Sequence, residues 1–333
     1  MGSWRVSADL LATSRFLLSP LAETVAALTV LKAPRGPWQQ AFHAANRDAF
    51  AEMLARHPAR RDLAERSWRP RAGDRPGWMA DFLGTVPADA GMSFDDELGQ
   101  LAARWDDDRI RAELHTVRPG RLAGTLLRPG LRAELLGLLR WIWTATVEAD
   151  WPRRRRVLQA DVVSRTTLLA THGWSGVIPT LGATTGWRGD GLLQINHFDL
   201  PERDLSAART LLFVPAHSNG SWVMWDEPTR YALVYPVTGA LAPPGGPDVR
   251  GLARLIGANR ARLVLALDDP RSTTQLAALS GLPLGSVGNH LRVLLDAGLV
   301  LRRRAGREVL YWRTALGDSL AATTVSSGDA RGR

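Results

Sequence analysis

The sequence predicts an α+β protein in two parts: a mainly helical N-terminal domain with a small antiparallel sheet, then a C-terminal module of short helices closed by a β-hairpin. Three observations predict it. Apolar residues recur at helical spacing through the first half, short β-prone runs crowd the stretch 174–241, and Pro243-Pro244-Gly245-Gly246-Pro247 punctuates the chain before a more basic last quarter. The 333 residues, at roughly 150 per domain, suit two domains, and 45% hydrophobic residues suffice for a sizeable core. The layout is therefore a domain at 1–242, helical over 1–173 and β-rich over 174–241, a Pro/Gly linker at 243–250, a compact module at 251–316 and a flexible tail at 317–333.

Taken in order, Leu21 to Leu31 has helical spacing, and Leu98, Leu101 and Trp105 mark another amphipathic segment. A stronger helix spans about Leu131 to Val147, with Leu135, Leu138, Leu139, Ile142 and Thr146 on one face. Pro152 suits the first turn of a new helix, in which Arg153 to Arg156 precede Val157, Leu158 and Val162. Those four arginines read as a solvated turn, although cations oppose the dipole at a helix start and leave room for a specific acidic contact. The β-prone runs are Leu192 to Phe198, Leu211 to Pro215, Trp222 to Trp225 and Tyr231 to Val237, with Asp226-Glu227-Pro228-Thr229 as hairpin-loop material.

Beyond the linker, Leu252, Leu255, Ile256, Leu263 and Leu267 predict one helix with a single apolar side. Ser272-Thr273-Thr274-Gln275 has the form of a capping box and opens a short helix, which Gly281 ends in the left-handed conformation. Leu282-Pro283 turns the chain into a second helix with Val287, Leu291 and Leu294 as its apolar stripe. Gly298 ends that helix, and Leu299 to Arg304 and Glu308 to Trp312 form a hairpin around Ala305-Gly306-Arg307. Two short helices on a glycine turn, followed directly by a hairpin, make a winged helix-turn-helix.

Charge gives this module a purpose. The chain carries one lysine, Lys32, and 41 arginines against 33 acidic residues, a net charge of +9 with a pI near 11.1. Residues 251–333 hold twelve arginines against six acidic residues, so two thirds of the surplus lies there. A polyanionic partner follows, and double-stranded DNA is the expected one. Ser286, Asn289, His290 and Arg292 flank the apolar stripe of the second helix. Asn can read adenine, and Arg can read guanine or grip a phosphate. Arg302, Arg303, Arg304 and Arg307 cluster towards the hairpin tip, within reach of phosphates or a narrow minor groove. The plain alternative is a solvated helix face, and for His290 a structural hydrogen bond at the helix start is equally open.

Other chemistries find little support. Cysteine is absent, which removes disulfides and thiolate chemistry and fits a reducing compartment. Every apolar stretch is broken well short of the roughly 18 residues of a spanning helix, and Asp9 and Arg15 interrupt any signal peptide, so a cytoplasmic protein is expected. Leu168 to Gly176, with His172-Gly173 and Ser175, has the look of an oxyanion loop, but no G-x-S-x-G elbow occurs and no catalytic residue is assigned. His197, Asp199 and His217 could converge on zinc only through folding, and isolated sheet-edge histidines are the plainer reading. Gly186 to Gly191 reads as a hairpin turn. No cofactor and no metal is expected. Thirteen tryptophans, among them Trp174, Trp187, Trp222 and Trp225, suit core packing or the walls of a pocket for a small apolar or aromatic ligand.

The run Thr273-Thr274-Gln275-Leu276-Ala277, with Ser286-Val287-Gly288-Asn289-His290-Leu291 and Leu294-Leu295-Asp296-Ala297-Gly298-Leu299-Val300, resembles the ArsR-type winged helix-turn-helix. Gly306-Arg307-Glu308-Val309-Leu310-Tyr311 is similar to that family's wing. Trp151-Pro152-Arg153, Leu158-Gln159-Ala160-Asp161-Val162, Ala8-Asp9-Leu10-Leu11-Ala12 and Glu23-Thr24-Val25 resemble an actinobacterial subgroup with a long N-terminal domain. The resemblance implies a homodimeric, sequence-specific DNA-binding transcription regulator, expected to repress. Gly288 stands where the family carries Ser, Pro283 replaces the usual capping residue, and no Cys or His/Asp/Glu sensing set follows the wing. Two other readings stay open: an enzyme with the winged helix as a targeting module, and a winged helix that binds protein.

Overall fold

The computed structural model describes residues 2–69, 77–182, 184–198, 200–226, 228–237, 249–267, 270–305 and 308–323. Two compact units emerge, Met1–Ala240 and Leu241–Arg333. The predicted Pro/Gly linker lies almost wholly outside the described residues, which resume at Val249 inside a helix.

In the first unit, β1 (Ser3–Arg5), α1 (Ala8–Ala12) and β2 (Arg15–Phe16) lead into α2 (Pro20–Lys32), α3 (Pro37–Arg56) and α4 (Pro58–Arg66). The short pair β3 (Trp68–Arg69) and β4 (Trp78–Met79) precedes α5 (Phe94–Arg104), α6 (Asp107–Val117), α7 (Leu131–Ile142) and α8 (Trp151–Val177). β5 (Gly186–Trp187), β6 (Leu192–Gln194), β7 (Arg203–Asp204), β8 (Thr210–Ala216), β9 (Trp222–Asp226) and β10 (Arg230–Pro236) complete it.

The α+β class holds, but the expected antiparallel sheet is two mixed sheets, ordered β5-β6-β1-β7 and β2-β8-β10-β9. β8 runs parallel to both β2 and β10, while β9 pairs antiparallel with β10 through the predicted loop after Asp226. The reason lies in the side chains. On β8, Leu212 and Val214 face one cluster and Leu211 and Phe213 another; on β10, Ala232 and Val234 alternate likewise with Tyr231, Leu233 and Tyr235. Strands buried on both faces suit parallel pairing and read as unbroken apolar runs. β1 and β2 are too short to show a period, so the stretch 1–173 is less purely helical than its sequence suggests.

α2 sits between the layers and is buried from Pro20 to Leu31. Leu21, Val25, Leu28 and Leu31 pack with Leu63, Leu101, Leu114 and Leu135 of the surrounding helices. Its small residues, Ala22 and Ala26, meet Leu212, Val214 and Val234 of the sheet, which lets helix and strands approach closely. The predicted stripe of α7 is buried as far as Ile142, after which Trp143–Val147 form a π-helical turn. That turn inserts one residue into the face, so Val147 is buried in place of the expected Thr146.

Two carboxylates are buried with α2. Glu97 of α5 accepts from Ser19 Oγ (2.8 Å) and from the Leu21 amide (2.7 Å), capping the start of α2 from outside. Burial pushes its carboxyl up to about 8, against the lowering effect of those two donors. Glu23 accepts from Arg154 Nη1 (2.7 Å), from the His217 ring Nδ1 (2.9 Å) and from the His217 amide (3.0 Å). Burial pushes this carboxyl up, yet His217 and Arg154 outweigh it and hold it at about 2. Arg154 lies over Phe42 and contacts Asp150 at 3.3 Å, and Trp38 sets its ring edge against His217. Arg154 thus departs from the solvated turn expected for Arg153 to Arg156: it is the acidic contact, made to a residue 131 positions away.

In the second unit, α9 (Val249–Ile256), α10 (Ala258–Leu265), β11 (Arg271–Ser272), α11 (Thr273–Ser280), α12 (Leu284–Asp296), β12 (Val300–Ala305), β13 (Glu308–Arg313) and α13 (Ala315–Thr323) follow in order. The single helix expected over 252–267 is two, because Gly257 takes φ 87° and stops the first. Leu252, Leu263 and Leu267 remain in the core, whereas Leu255 leaves the stripe and is 70% exposed. The first part of the tail expected from 317 is ordered instead, since α13 carries the fold through Thr323 and packs Leu320 against the core. Residues 324–333 lie outside the described residues.

The two buried carboxylates give opposite pH signatures. Glu97 keeps a higher pKa folded than unfolded, so its contribution to stability falls as pH rises from about 4.5 towards 8. Glu97→Gln should flatten that fall in urea titrations across this window, leaving the smaller slope that Asp81, raised to about 7, contributes. Glu23 behaves oppositely: its stabilisation is present above pH 4.5 and lost as pH falls towards 2. Arg154→Met removes one partner of this buried pair and should cost about 3–5 kcal/mol in chemical denaturation at pH 7.

Candidate nucleic-acid interface

The module is assembled from local signals. Ser272 Oγ accepts from the Gln275 amide (3.4 Å) and Gln275 Oε1 accepts from the Ser272 amide (2.8 Å), closing the capping box that starts α11. Ser280 ends the helix by donating to Leu276 O at 2.6 Å, and Gly281 turns the chain at φ 68°. α12 then starts after Pro283 without a side-chain cap, its first backbone bond running from the Val287 amide to Pro283 O at 3.1 Å. Pro283 supplies an extended residue ahead of the helix but no acceptor, so the α12 start relies on backbone alone.

Val287, Leu291 and Leu294 turn inward and pack with Leu276, Leu299 and Tyr311. A 100° step per residue then places Asn289 and Arg292 opposite the core, and both are exposed. Ser286 and His290 lie beside the stripe and are half-buried. The four polar candidates therefore form an outer pair and a flanking pair. Leu284 and Val293 are also exposed on this helix.

The wing is the pair β12–β13, joined to β11 in a three-stranded sheet ordered β11-β13-β12. Its register sets Arg302 opposite Tyr311, Arg303 opposite Leu310 and Arg304 opposite Val309. With a period of two, Arg302 and Arg304 share the face of Val300 and Tyr311, while Arg303 lies on the other face with Leu301. The expected cluster is thus split across the hairpin, with all three arginines exposed. Arg307 lies outside the described residues, which resume at Glu308 opposite Ala305.

Three other arginines of the unit are engaged within it. Arg313 donates to Asp318 Oδ1 (2.7 Å) and Val264 O (2.9 Å), and Arg262 donates to Ser280 O (3.2 Å). Arg260 reaches Ile256 O. Arg292, Arg302 and Arg303 make no ion pair with the described residues. This division separates guanidinium groups that hold the module together from those left facing solvent.

The remaining sequence candidates do not converge. His197 is exposed and bonded to Gln194 Nε2 at 2.8 Å, His217 is buried against Glu23, and Asp199 lies outside the described residues. Among the described residues no group of three or more His, Asp and Glu could hold a metal ion. His172 and Ser175 are exposed around the break of α8 at Gly173, and Ser175 Oγ donates to the His172 carbonyl at 3.3 Å. Gly186 to Gly191 is a hairpin turn between β5 and β6. Trp174 stacks near Phe16 and Phe213, Trp187 packs in the same cluster, and Trp222 packs on α2's side of the sheet. Trp225 packs against the same cluster as Trp187 and, with Trp78, also lines an open cavity. No helix among the described residues is long and apolar enough to cross a membrane.

A protein-family model described as a helix-turn-helix domain matches residues 258–303, from α10 into β12. No curated protein matches the chain in sequence. The C-terminal unit therefore contains a helix-turn-helix domain, which supports a DNA-binding regulator.

Gly288 offers a clean test of α12. A Cβ added there meets nothing within 4 Å, and Ala exceeds Gly in helix propensity by about 1 kcal/mol. Gly288→Ala should therefore raise the unfolding free energy of the unit by about that amount in urea titration.

Proposed function

We propose that the chain is a sequence-specific DNA-binding transcription regulator of the ArsR type, working as a homodimer and repressing its target. α12 lies in the major groove with Asn289 and Arg292 towards the base edges, and Ser286 and His290 take phosphate or edge contacts at its margins. The wing grips the backbone through Arg302, Arg303, Arg304 and Arg307. Dimerisation sets the spacing of two half-sites about one helical turn, roughly 34–36 Å, apart. In this reading the chain has no catalytic step of its own, and the first unit supplies the dimer contacts, a ligand site, or both.

The observation that carries this reading is the combination of exposures in one small unit. The apolar stripe of α12 is consumed by the core, its outward residues Asn289 and Arg292 are exposed, and the wing arginines are exposed too. Phosphate contacts supply affinity without sequence information, whereas base-edge contacts supply choice. The split of Arg303 from Arg302 and Arg304 suits a hairpin whose two faces both meet a curved phosphate surface.

A gel shift on the chain's own upstream region at 50 and 200 mM salt tests the two roles separately. Replacing Arg302, Arg303 and Arg304 together by Ala should weaken binding to all duplexes. The same change should flatten the plot of log affinity against log salt by about 0.9 for each phosphate that is no longer neutralised. An unchanged slope removes the wing from the interface. Asn289→Ala or Arg292→Ala should instead reduce discrimination at one base pair by about 1–3 kcal/mol. Uniform loss across sequences would assign those side chains to phosphates.

A further inference from the structure

The first unit contains an open cavity of about 460 Å³. Ligand sites commonly range over roughly 300–1,000 Å³, so a compact molecule fits. Trp78 of β4 and Trp225 of β9 give it aromatic walls, and Asp81, just after β4, and Glu113 of α6 give it two carboxylates. The Asp81 amide donates to Glu113 Oε1 at 3.2 Å, which holds the two acidic residues together. Trp78 keeps its indole N–H buried and without a hydrogen-bond partner among the described residues.

Charge in the lining does not balance. Arg104 of α5 is paired with Asp226 of β9. The guanidinium of Arg203 of β7 lies 4.5 Å from the centre of the Trp225 ring, whose indole also hydrogen-bonds Asp81. Asp81, Glu113 and Asp226 are three carboxylates in the lining against these two guanidinium groups, but Arg230 of β10, outside the lining, also approaches Asp226 at 3.8 Å, so the acidity without a cation falls on Asp81 and Glu113, which make no ion pair among the described residues. Burial first, and then the charge of Glu113, push the Asp81 carboxyl up to about 7, so this pair resists holding two charges unaided. A metal ion would need a larger donor set than the described residues provide. An ammonium can give two of its three N–H groups to a pair of carboxylates and the third to water in an open cavity, with its charge over an aromatic surface.

We propose that this cavity binds a small organic monocation, with its ammonium group between Asp81 and Glu113 and its apolar body against the indole of Trp78. The site thus takes an amine, where the sequence suggested a small apolar or aromatic ligand. Binding is a property of the first unit alone. Its meaning as an effector site rests on the DNA-binding reading above.

Calorimetry on the full chain without DNA tests the binding. The probes are tryptamine, benzylamine and cyclohexylamine, each beside its neutral counterpart: tryptophol, benzyl alcohol and cyclohexanol. At least one amine should bind saturably at pH 8 and raise Tm, while its alcohol binds at least about tenfold more weakly. Asp81→Asn and Glu113→Gln should each weaken the amine by about tenfold or more and leave the alcohol unchanged, with Tm confirming that each variant is folded. Affinity for the amine should fall from pH 8 to pH 6 as Asp81 takes up a proton, in a setting fixed by Glu113 on α6, Arg104 on α5, Arg203 on β7 and Asp226 on β9. Equal binding of amine and alcohol, full affinity in both variants, or no saturable binding by any of the three amines overturns the proposal. Adding the binding amine to the gel shift then reads the effector role by itself: a shift in DNA affinity supports it, and unchanged affinity limits the site to binding.

Discussion

Burying a charge is the constraint around which the first unit is organised. α2 is enclosed by helices on one side and by a sheet on the other, and Glu23 lies on it with no access to water. An isolated carboxylate there would be prohibitively costly, so its charge must be met by groups brought from distant parts of the chain. Arg154 arrives on α8 and His217 follows directly after β8, and together they supply three hydrogen bonds to the carboxylate, with both oxygens engaged. The ion cluster therefore fixes the placement of α8 and β8 around α2 more sharply than apolar contact does, because hydrophobic burial has no direction. The same enclosure explains Glu97, which is tolerated by another device: it shifts towards its neutral form and serves as an external cap for α2.

In the second unit the organising constraint is geometric. α12 must bury Val287, Leu291 and Leu294 to complete a small core, and this fixes the rotation of the helix about its axis. Asn289 and Arg292 are then exposed by necessity, and Ser286 and His290 can only flank. The wing obeys the corresponding rule for strands. Val300 and Tyr311 belong to the core, so Arg302 and Arg304 share their face, and Arg303 is placed on the reverse. Arginine counts alone hide this difference, since Arg313 and Arg262 are occupied with backbone carbonyls of the same unit.

What was legible in the sequence was local. The capping box of Ser272 and Gln275, the turn at Gly281, the stripe of α12, the hairpin after it and the restart at Pro152 each depend on residues within about one or two turns of one another, and all are present. What was hidden depends on partners far along the chain or on single backbone torsions. Arg154 looked like one of four equivalent arginines because Glu23 is 131 positions away. β1 and β2 are strands only because β6 and β8 accept them. Gly257 and the π turn after Ile142 each shift a helical face with one local change, and the apolar pattern ran smoothly across both. The cavity of Trp78, Asp81, Glu113 and Trp225 joins pieces from β4, α6 and β9, which no spacing rule connects.

The two glycines of α12 carry the functional reading one step further. Gly285 and Gly288 lie within the first five residues of a helix that has no side-chain cap, and each weakens it by about 1 kcal/mol relative to Ala. Packing does not require them, for a Cβ at either position meets nothing within 4 Å. Glycines at these positions leave room for something that approaches the backbone closely. Under the DNA-binding proposal that something is the duplex: a smooth N-terminal half of α12 lets the helix enter deeper into the groove, and Asn289 and Arg292 reach the base edges from a shorter distance.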